Sequence, residues 1–254
     1  MSKSIDNKLE AIKPFVKKIP GMRRLWRALL KLRAGKDYHS VLFTKIWSGN
    51  VWGGDESRSG GGSGLAETAI MREQLAGLLS ELSVRCLLDI PCGDFHWMKE
   101  VRLPPGLIYI GGDIVEPMLH SNNAQYGTNT VSFRKLDLCR DTLPPADLVL
   151  CRECLVHFSF SDLRRAVANL RASGAKYLLV TQFTGDRENS DIETGEWRPL
   201  NLTKAPINFP PPLRLIDEQC TAGGGRYRDK ALGLWRIADL PSPSSFRKMS
   251  SVPS

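Results

Sequence analysis

Two carboxylates, and the turn beside the first of them, carry the chemistry most legible in this chain. The stretch Cys86-Leu-Leu-Asp-Ile-Pro-Cys-Gly-Asp-Phe-His-Trp97 puts Asp89 at the end of one short apolar run, and Tyr109-Ile-Gly-Gly-Asp113 puts a second acid at the end of another, 24 residues further on. That interval is about one strand–helix–strand repeat of an open parallel sheet, in which ligands bind at the carboxyl ends of the strands. An acid ending the second strand can accept both hydroxyls of a ribose, so Asp113 is the candidate ribose ligand. A dinucleotide site would need Gly-x-Gly-x-x-Gly directly after the first strand, where backbone amides meet a pyrophosphate. Here Gly93 is the only glycine of the turn. The pattern therefore favours a nucleoside cofactor without phosphate over a nicotinamide dinucleotide.

The elements that must hold these acids follow from apolar patterning. The run Val84 to Ile90 has the length and density of a strand buried on both faces, and Pro91-Cys92-Gly93 turns the chain at its end. Further strands are expected over Asp147–Cys151, Tyr177–Phe183, 214–220 and 230–238, with Gly223-Gly224-Gly225 in the turn between the last two. Helices are expected from about Leu65 to Leu82 and from Asp162 to Ala172, the second capped by the Ser159-Phe-Ser161-Asp162 segment.

Asp89-Ile-Pro-Cys-Gly-Asp-Phe95 resembles the first motif of the class I S-adenosylmethionine-dependent methyltransferases, and Asp113 falls where their second motif has its acid. Lys135-Leu-Asp137-Leu matches the position that contacts the adenine edge, and Arg152-Glu-Cys-Leu-Val-His157 matches the loop facing the transferable methyl. The resemblance covers roughly residues 40 to 240. It implies an α/β fold, a Rossmann-like seven-stranded and mostly parallel sheet with a C-terminal antiparallel hairpin, and S-adenosylmethionine as cofactor. It also implies cofactor contacts from Asp89, Cys92, Gly93, Asp94, Asp113 and Asp137. Pro91 and Phe95 stand where the family usually has glycine, which leaves the close approach of backbone to cofactor to Gly93.

Methyl transfer from a sulfonium needs an acceptor atom aligned behind the methyl and, for a hydroxyl acceptor, a base. His157 is the first candidate because imidazole titrates near neutrality. Glu153, four residues earlier, is expected to orient it or to act itself, and His96 is held in reserve. Against these stand packing for His157 and a surface ion pair for Glu153. Cys151, Cys154 and His157 resemble part of a zinc set, but one C-x-x-C with no fourth ligand is a poor signal, so no metal is expected. A DNA amino-methylating enzyme would show Asp or Asn with Pro-Pro and an aromatic after the fourth strand. This chain has Cys151-Arg-Glu-Cys154 there, which disfavours DNA bases as substrates.

The segment Gly53 to Gly64, with nine residues of glycine or serine after the aromatic stretch Ile46–Trp52, reads as a flexible linker by composition. The resemblance instead makes it a lid over the cofactor, in which glycine amides and Ser59, Ser63 or Thr68 meet the cofactor carboxylate and which orders on binding; Ser63 is the preferred contact. A long insertion from Thr184 to Pro212 carries Trp197 among several carboxylates and Asn201. It is read either as a solvated acidic loop or as the wall of a site for a hydroxyl-rich acceptor such as a sugar.

Charge is concentrated at one end. Residues 1 to 36 hold eleven Lys or Arg against two acids, a balance of +9, whereas the rest has 24 basic and 25 acidic residues. Met22, Leu25, Trp26, Leu29 and Leu30 fall at helical spacing after Pro20-Gly21, with Arg23, Arg24, Arg27, Lys31 and Arg33 around them. Residues 1–40 are thus expected to form a basic amphipathic extension, 41–240 the catalytic domain and 241–254 a disordered tail. The extension is either packed on the domain or a peripheral contact with an anionic membrane. Nucleic acid is disfavoured as a partner, since the remainder shows no second basic stretch. With no apolar run near 18 residues, no visible secretory signal and cysteines placed in buried strands, the expected location is the cytoplasm, including the inner face of a membrane. The expected activity is O-methylation of a carbohydrate or glycoconjugate acceptor. The alternatives are methylation of a small metabolite or protein side chain, and cofactor binding without catalysis in a partner protein.

Overall fold

Strand β1 (Cys86–Asp89) is covered on both faces, because Leu87 and Leu88, adjacent in sequence, are both fully buried and must face opposite sides of a sheet. A computed structural model describes residues 22–242, and in it β1 pairs in parallel with β2 (Ile108–Asp113) on one side and with β4 (Leu148–Cys151) on the other. Strand β3 (Val131–Lys135) adds to β2, and β5 (Tyr177–Phe183) to β4, also in parallel. The hairpin of β6 (Arg214–Asp217) and β7 (Lys230–Arg236) completes a seven-stranded sheet of order β3-β2-β1-β4-β5-β7-β6, with β7 alone antiparallel to its neighbours. The expected fold class is the observed one. Strand β5 has the expected bounds; β1, β6 and β7 are shorter than the apolar runs, because their ends turn away once cross-strand pairing stops.

Alternate residues of the strands feed two cores. Leu88, Val149, Cys151, Leu178 and Val180 pack with Leu163, Val167 and Leu170 of a helix spanning Phe160–Ala172. Leu87, Leu148, Leu150 and Leu179 pack on the other face with Met71, Leu75, Leu78 and Leu79 of a helix over Ala69–Glu81. The first of these helices starts two residues before the expected Asp162 because Ser159 is its N-cap, with Oγ accepting from the Asp162 amide at 3.2 Å. Between β2 and β3 a helix over Glu116–Tyr126 is fixed to the sheet by Asn123, whose amide group bonds both the N–H and C=O of Phe133. Gly111 is required where this layer closes in, since a Cβ there would sit 2.5 Å from the Phe133 ring.

The chain divides into two compact units, the second beginning at Phe43. The first contains a helix over Met22–Ala34, close to the expected position, and the start of a helix over Tyr38–Ser48. The expectations for residues 1–21 and for most of the tail from 241 fall outside the described residues. Among the described residues no helix is long and apolar enough to cross a membrane.

Candidate active site

Parallel register puts Asp89 opposite Gly111, so Asp113 projects beyond the end of β1 and faces the turn that follows it. Its Oδ2 accepts from the Gly93 amide at 3.2 Å, and its Oδ1 from Ile114 and Val115 at 2.7 and 3.0 Å. Burial pushes the carboxyl up, while the Val115, Gly93 and Ile114 amides oppose the rise. Oδ1 is filled by two amides and Oδ2 keeps one acceptor site, so this oriented carboxylate suits a ribose hydroxyl. Gly93 has φ +57° and its carbonyl takes the Asn122 amide at 2.8 Å. Cys92 is buried below, its N–H bonded to Gly112 O at 2.9 Å. Phe95, at a family glycine position, also has φ +60°, and its ring packs on Tyr109, Tyr126 and Phe133.

Asp89 lies under this turn, fully buried, with Oδ2 accepting from the Tyr109 hydroxyl at 2.7 Å. Burial pushes its carboxyl from 3.8 up to about 7, Tyr109 opposing and Asp113 adding to the rise. A folded value above the unfolded one means stability that is complete below about pH 4 and is lost as pH rises through about 7. Asp89→Asn keeps an acceptor for Tyr109 without the charge. Between about pH 5 and pH 8 the wild type should lose on the order of 3 kcal/mol of unfolding free energy relative to this variant. Denaturant titrations at several pH values check this, and parallel curves for the two proteins would exclude a raised Asp89.

The segment from Gly53 to Gly64 is held against the first turn rather than running as a flexible linker. Ser57 Oγ donates to the Asp94 carboxylate at 2.8 and 2.9 Å, the Arg58 amide adds a bond at 3.1 Å, and Ser59 Oγ accepts from the Asp94 amide at 3.1 Å. Ser59 fills the space over Gly93, where a Cβ would lie 2.5 Å from its Oγ. Asp94, expected as a cofactor contact, is therefore the anchor of this loop. Gly61–Ser63 form a short turn of 3-10 helix with Ser63 buried, while a Cβ on Gly61 would meet nothing within 4 Å. One face of the glycine run is thus open to a ligand.

A quartet of charges supports that run. Arg152, directly after β4, pairs side-on with Glu218 through Nε at 3.3 Å and Nη2 at 2.7 Å, and donates from Nη1 to Gly62 O at 2.9 Å. Lys230, opening β7, pairs with Glu153 and with Glu218 Oε2 at 3.1 Å. The Arg152 and Glu218 side chains are only 3% and 1% exposed. Burial opposes the charges on Arg152 and Lys230, and the two glutamates outweigh it. Burial likewise raises the Glu153 carboxyl, but Lys230 and Arg152 bring it below its ordinary range. Glu153 is held ionised by Lys230 and is a poor proton acceptor for chemistry near neutrality.

His157 is oriented by a different group from the one expected. Its Nδ1–H donates to the Glu196 carbonyl at 2.7 Å, and its ring stacks on Trp52 with centroids 4.8 Å apart. A carbonyl only accepts, so Nδ1 carries the proton and the neutral tautomer has its lone pair on Nε2. Burial lowers the imidazole's affinity for a second proton, with the Glu196 bond and Glu153 opposing and Arg198 assisting. The result is an imidazole that favours its neutral form, with Nε2 unprotonated. His96, the reserve candidate, is tied to Glu56 at 3.3 Å. Asp137 follows β3 and uses Oδ1 to accept from the Cys139 amide at 2.8 Å. Cys151, Cys154 and His157 do not converge on a common point among the described residues, because Cys151 ends a buried strand and His157 turns to the insertion.

The insertion is anchored to the domain, while Asp186, Glu188, Asp191 and Glu193 on it are exposed. Asn189 and Asn201 are buried, and the Asn189 side chain bonds both backbone groups of Asn201, with Asn189 Nδ2 donating to Asn201 O at 2.8 Å and Asn201 N to Asn189 Oδ1 at 2.9 Å. Gln182 on β5 ties in through Asn201 Oδ1 at 3.0 Å and the Leu202 amide at 2.7 Å. The insertion is thereby fixed beside His157, where Trp197, 38% exposed, meets Tyr227 and Phe183 edge to face at 4.9 and 6.1 Å.

The fold is similar to that of human N-acetylserotonin methyltransferase in complex with S-adenosylmethionine, at TM-score 0.50 and 13% identity over 66% of this chain and 52% of that one. The fold is that of the class I methyltransferases. Other solved proteins with similarity to this methyltransferase fold include an amino pentose methyltransferase from Micromonospora echinaspora (21% identity, TM-score 0.37, 43% of this chain and 48% of that). Another is magnesium protoporphyrin IX methyltransferase from Synechocystis PCC 6803 (16% identity, TM-score 0.38, 46% and 56%). The chain spans about half the length of each. No family model and no curated protein matches the sequence.

Proposed function

We propose that this protein is an S-adenosylmethionine-dependent methyltransferase acting on a hydroxyl of a carbohydrate or glycoconjugate, with His157 as general base. The observation that carries the reading is the His157 tautomer, which presents an unprotonated Nε2 at the same sheet edge as the oriented Asp113 carboxylate. The donor set fits the cofactor: Asp113 would accept a ribose hydroxyl through Oδ2, Asp137 would meet the adenine edge, and the Gly61 and Gly62 amides and the Ser63 hydroxyl suit a carboxylate. S-adenosylmethionine held there would supply a sulfonium methyl to the acceptor oxygen, with S-adenosylhomocysteine as the leaving group. His157 Nε2 takes the hydroxyl proton, and Trp52 holds the ring in place. Trp197 and Tyr227 offer rings on which a sugar face can pack.

Calorimetric titration with S-adenosylmethionine and its demethylated product tests the cofactor. Micromolar binding is expected for the wild type, with a loss of roughly ten- to hundredfold in Asp113→Ala, as a charged hydrogen bond disappears. A folded protein that binds neither compound would overturn the reading. Nucleotide sugars and glycolipids are the acceptors to screen.

The reading extends to an anionic membrane as the partner of the basic extension. On its helix Leu29 and Leu32 are 52% and 81% exposed, and exposed Lys31 and Arg33 adjoin them. Leucines ringed by cations suit a headgroup region. The full chain should float with phosphatidylcholine vesicles only when phosphatidylglycerol is added, and Leu29→Glu with Leu32→Glu should abolish this. Flotation that is absent, or the same for both proteins, would refute the contact.

A further inference from the structure

The side-on edge of an arginine, Nε with Nη2, matches the two oxygens of a carboxylate or phosphate. Two arginines near the candidate active site are buried. In Arg152 this edge is filled by Glu218. In Arg198, which is 4% exposed, Nε and Nη2 have no hydrogen-bond partner among the described residues, and only Nη1 is used, donating to Val156 O at 3.2 Å. Such an edge is costly to leave empty. The nearest acid that influences it, Asp191, gives its Oδ1 to the Phe160 and Ile192 amides and makes no ion pair with Arg198. Burial lowers Arg198 to about 10, with Asp191 opposing, so it remains a cation near neutrality.

The position of this cation links it to His157. The Arg198 amide bonds Val156 O at 3.1 Å, the Gly195 amide bonds His157 O at 2.8 Å, and Glu196 O accepts from His157 Nδ1–H. Residues 195–198 therefore run as a short rail along 156–157, bringing the orphan guanidinium and the oriented imidazole onto one rigid piece of backbone. The partly exposed Phe160 ring covers the guanidinium, 5.3 Å from Cζ to its centroid.

We propose that Arg198 is the acceptor-binding residue for an oxyanion, so that the substrate is an acidic molecule whose carboxylate or phosphate pairs side-on with Arg198 while its hydroxyl meets His157. This rests on the reading of the His157 loop as the acceptor side. Phe160 turns aside to admit the anion. Acidic sugars and phosphorylated glycans satisfy the geometry, and neutral sugars leave the edge empty.

Inorganic phosphate and acetate, titrated calorimetrically into the full chain, test the inference without knowledge of the acceptor. Phosphate or acetate should bind the wild type, and Arg198→Lys and Arg198→Gln should weaken the preferred one by roughly ten- to hundredfold, as a bidentate contact is lost. Acetate preferred over phosphate identifies a carboxylate acceptor, and the reverse a phosphorylated one. Phe160→Ala uncovers the edge and should tighten binding, which decides the matter if the Arg198 variants do not fold. No anion binding, or binding unchanged by these substitutions, overturns the proposal. A parallel titration with S-adenosylmethionine separates the two failures: cofactor binding without anion binding leaves the methyltransferase reading standing, and the converse leaves the anion site standing.

Discussion

Replacing Glu218 by glutamine should lower the unfolding free energy by about 3–5 kcal/mol, the cost of breaking a buried ion pair from one side. Glu218 is the only member of the quartet that bonds both cations, with Oε1 and Oε2 on Arg152 and Oε2 also on Lys230. Its loss leaves a net positive charge sealed between β4, β7 and the glycine run. The corresponding fall in melting temperature is on the order of 10 °C for a domain of this size. Glu153→Gln should cost much less, because the Glu153 side chain is 25% exposed and Lys230 keeps Glu218. Chemical denaturation of the two variants checks both values. A loss below about 1 kcal/mol for Glu218→Gln would mean that water reaches the quartet and screens it. Because Arg152 also holds Gly62 O, the variant should bind S-adenosylmethionine more weakly as well.

Replacing His157 by alanine should lower turnover on a methylated acceptor by about 100- to 10,000-fold, the range for removal of a positioned general base. Cofactor affinity should change little, since His157 bonds Glu196 and stacks on Trp52 rather than touching the Asp113 turn. The pH profile carries the same argument. Burial lowers the imidazole, so the acid limb of kcat/KM should lie below the ordinary histidine value of 6.5, with activity present above it and lost as pH falls through it. Glu153 favours the imidazolium, so Glu153→Gln should move that limb further towards acid. Unchanged turnover in His157→Ala would remove the base from the mechanism. An acid limb above 6.5 would contradict a buried imidazole.

The parts of the site that could be read from the chain are those encoded within a few residues. Asp113 ends an apolar run, Gly93 sits in a turn beside Pro91, and Ser159 precedes an amphipathic stretch, and each carries its structural signal locally. The groups that were missed are paired across long intervals. Arg152 meets Glu218 66 residues away, and Ser57 meets Asp94 37 residues away. Nothing in the types or spacing of Glu218 or Ser57 announces such a partner. His157 is the sharpest case: residue type pointed to Glu153 as its orienting group, but the group that orients it is a backbone carbonyl, which every residue has and no sequence pattern marks.

By itself the sequence determined the sheet, the edge at which ligands bind and the acids that end its strands, because alternating burial and turn chemistry are local properties of the chain. Only the tertiary structure decided what each charged group does there. It made Asp94 a loop anchor, bound Glu153 to Lys230, gave His157 its tautomer and left the side-on edge of Arg198 without a partner. The physical reason is that hydrogen-bond pairing and desolvation depend on which distant groups the fold brings within about 3 Å, a distance that sequence separation does not constrain.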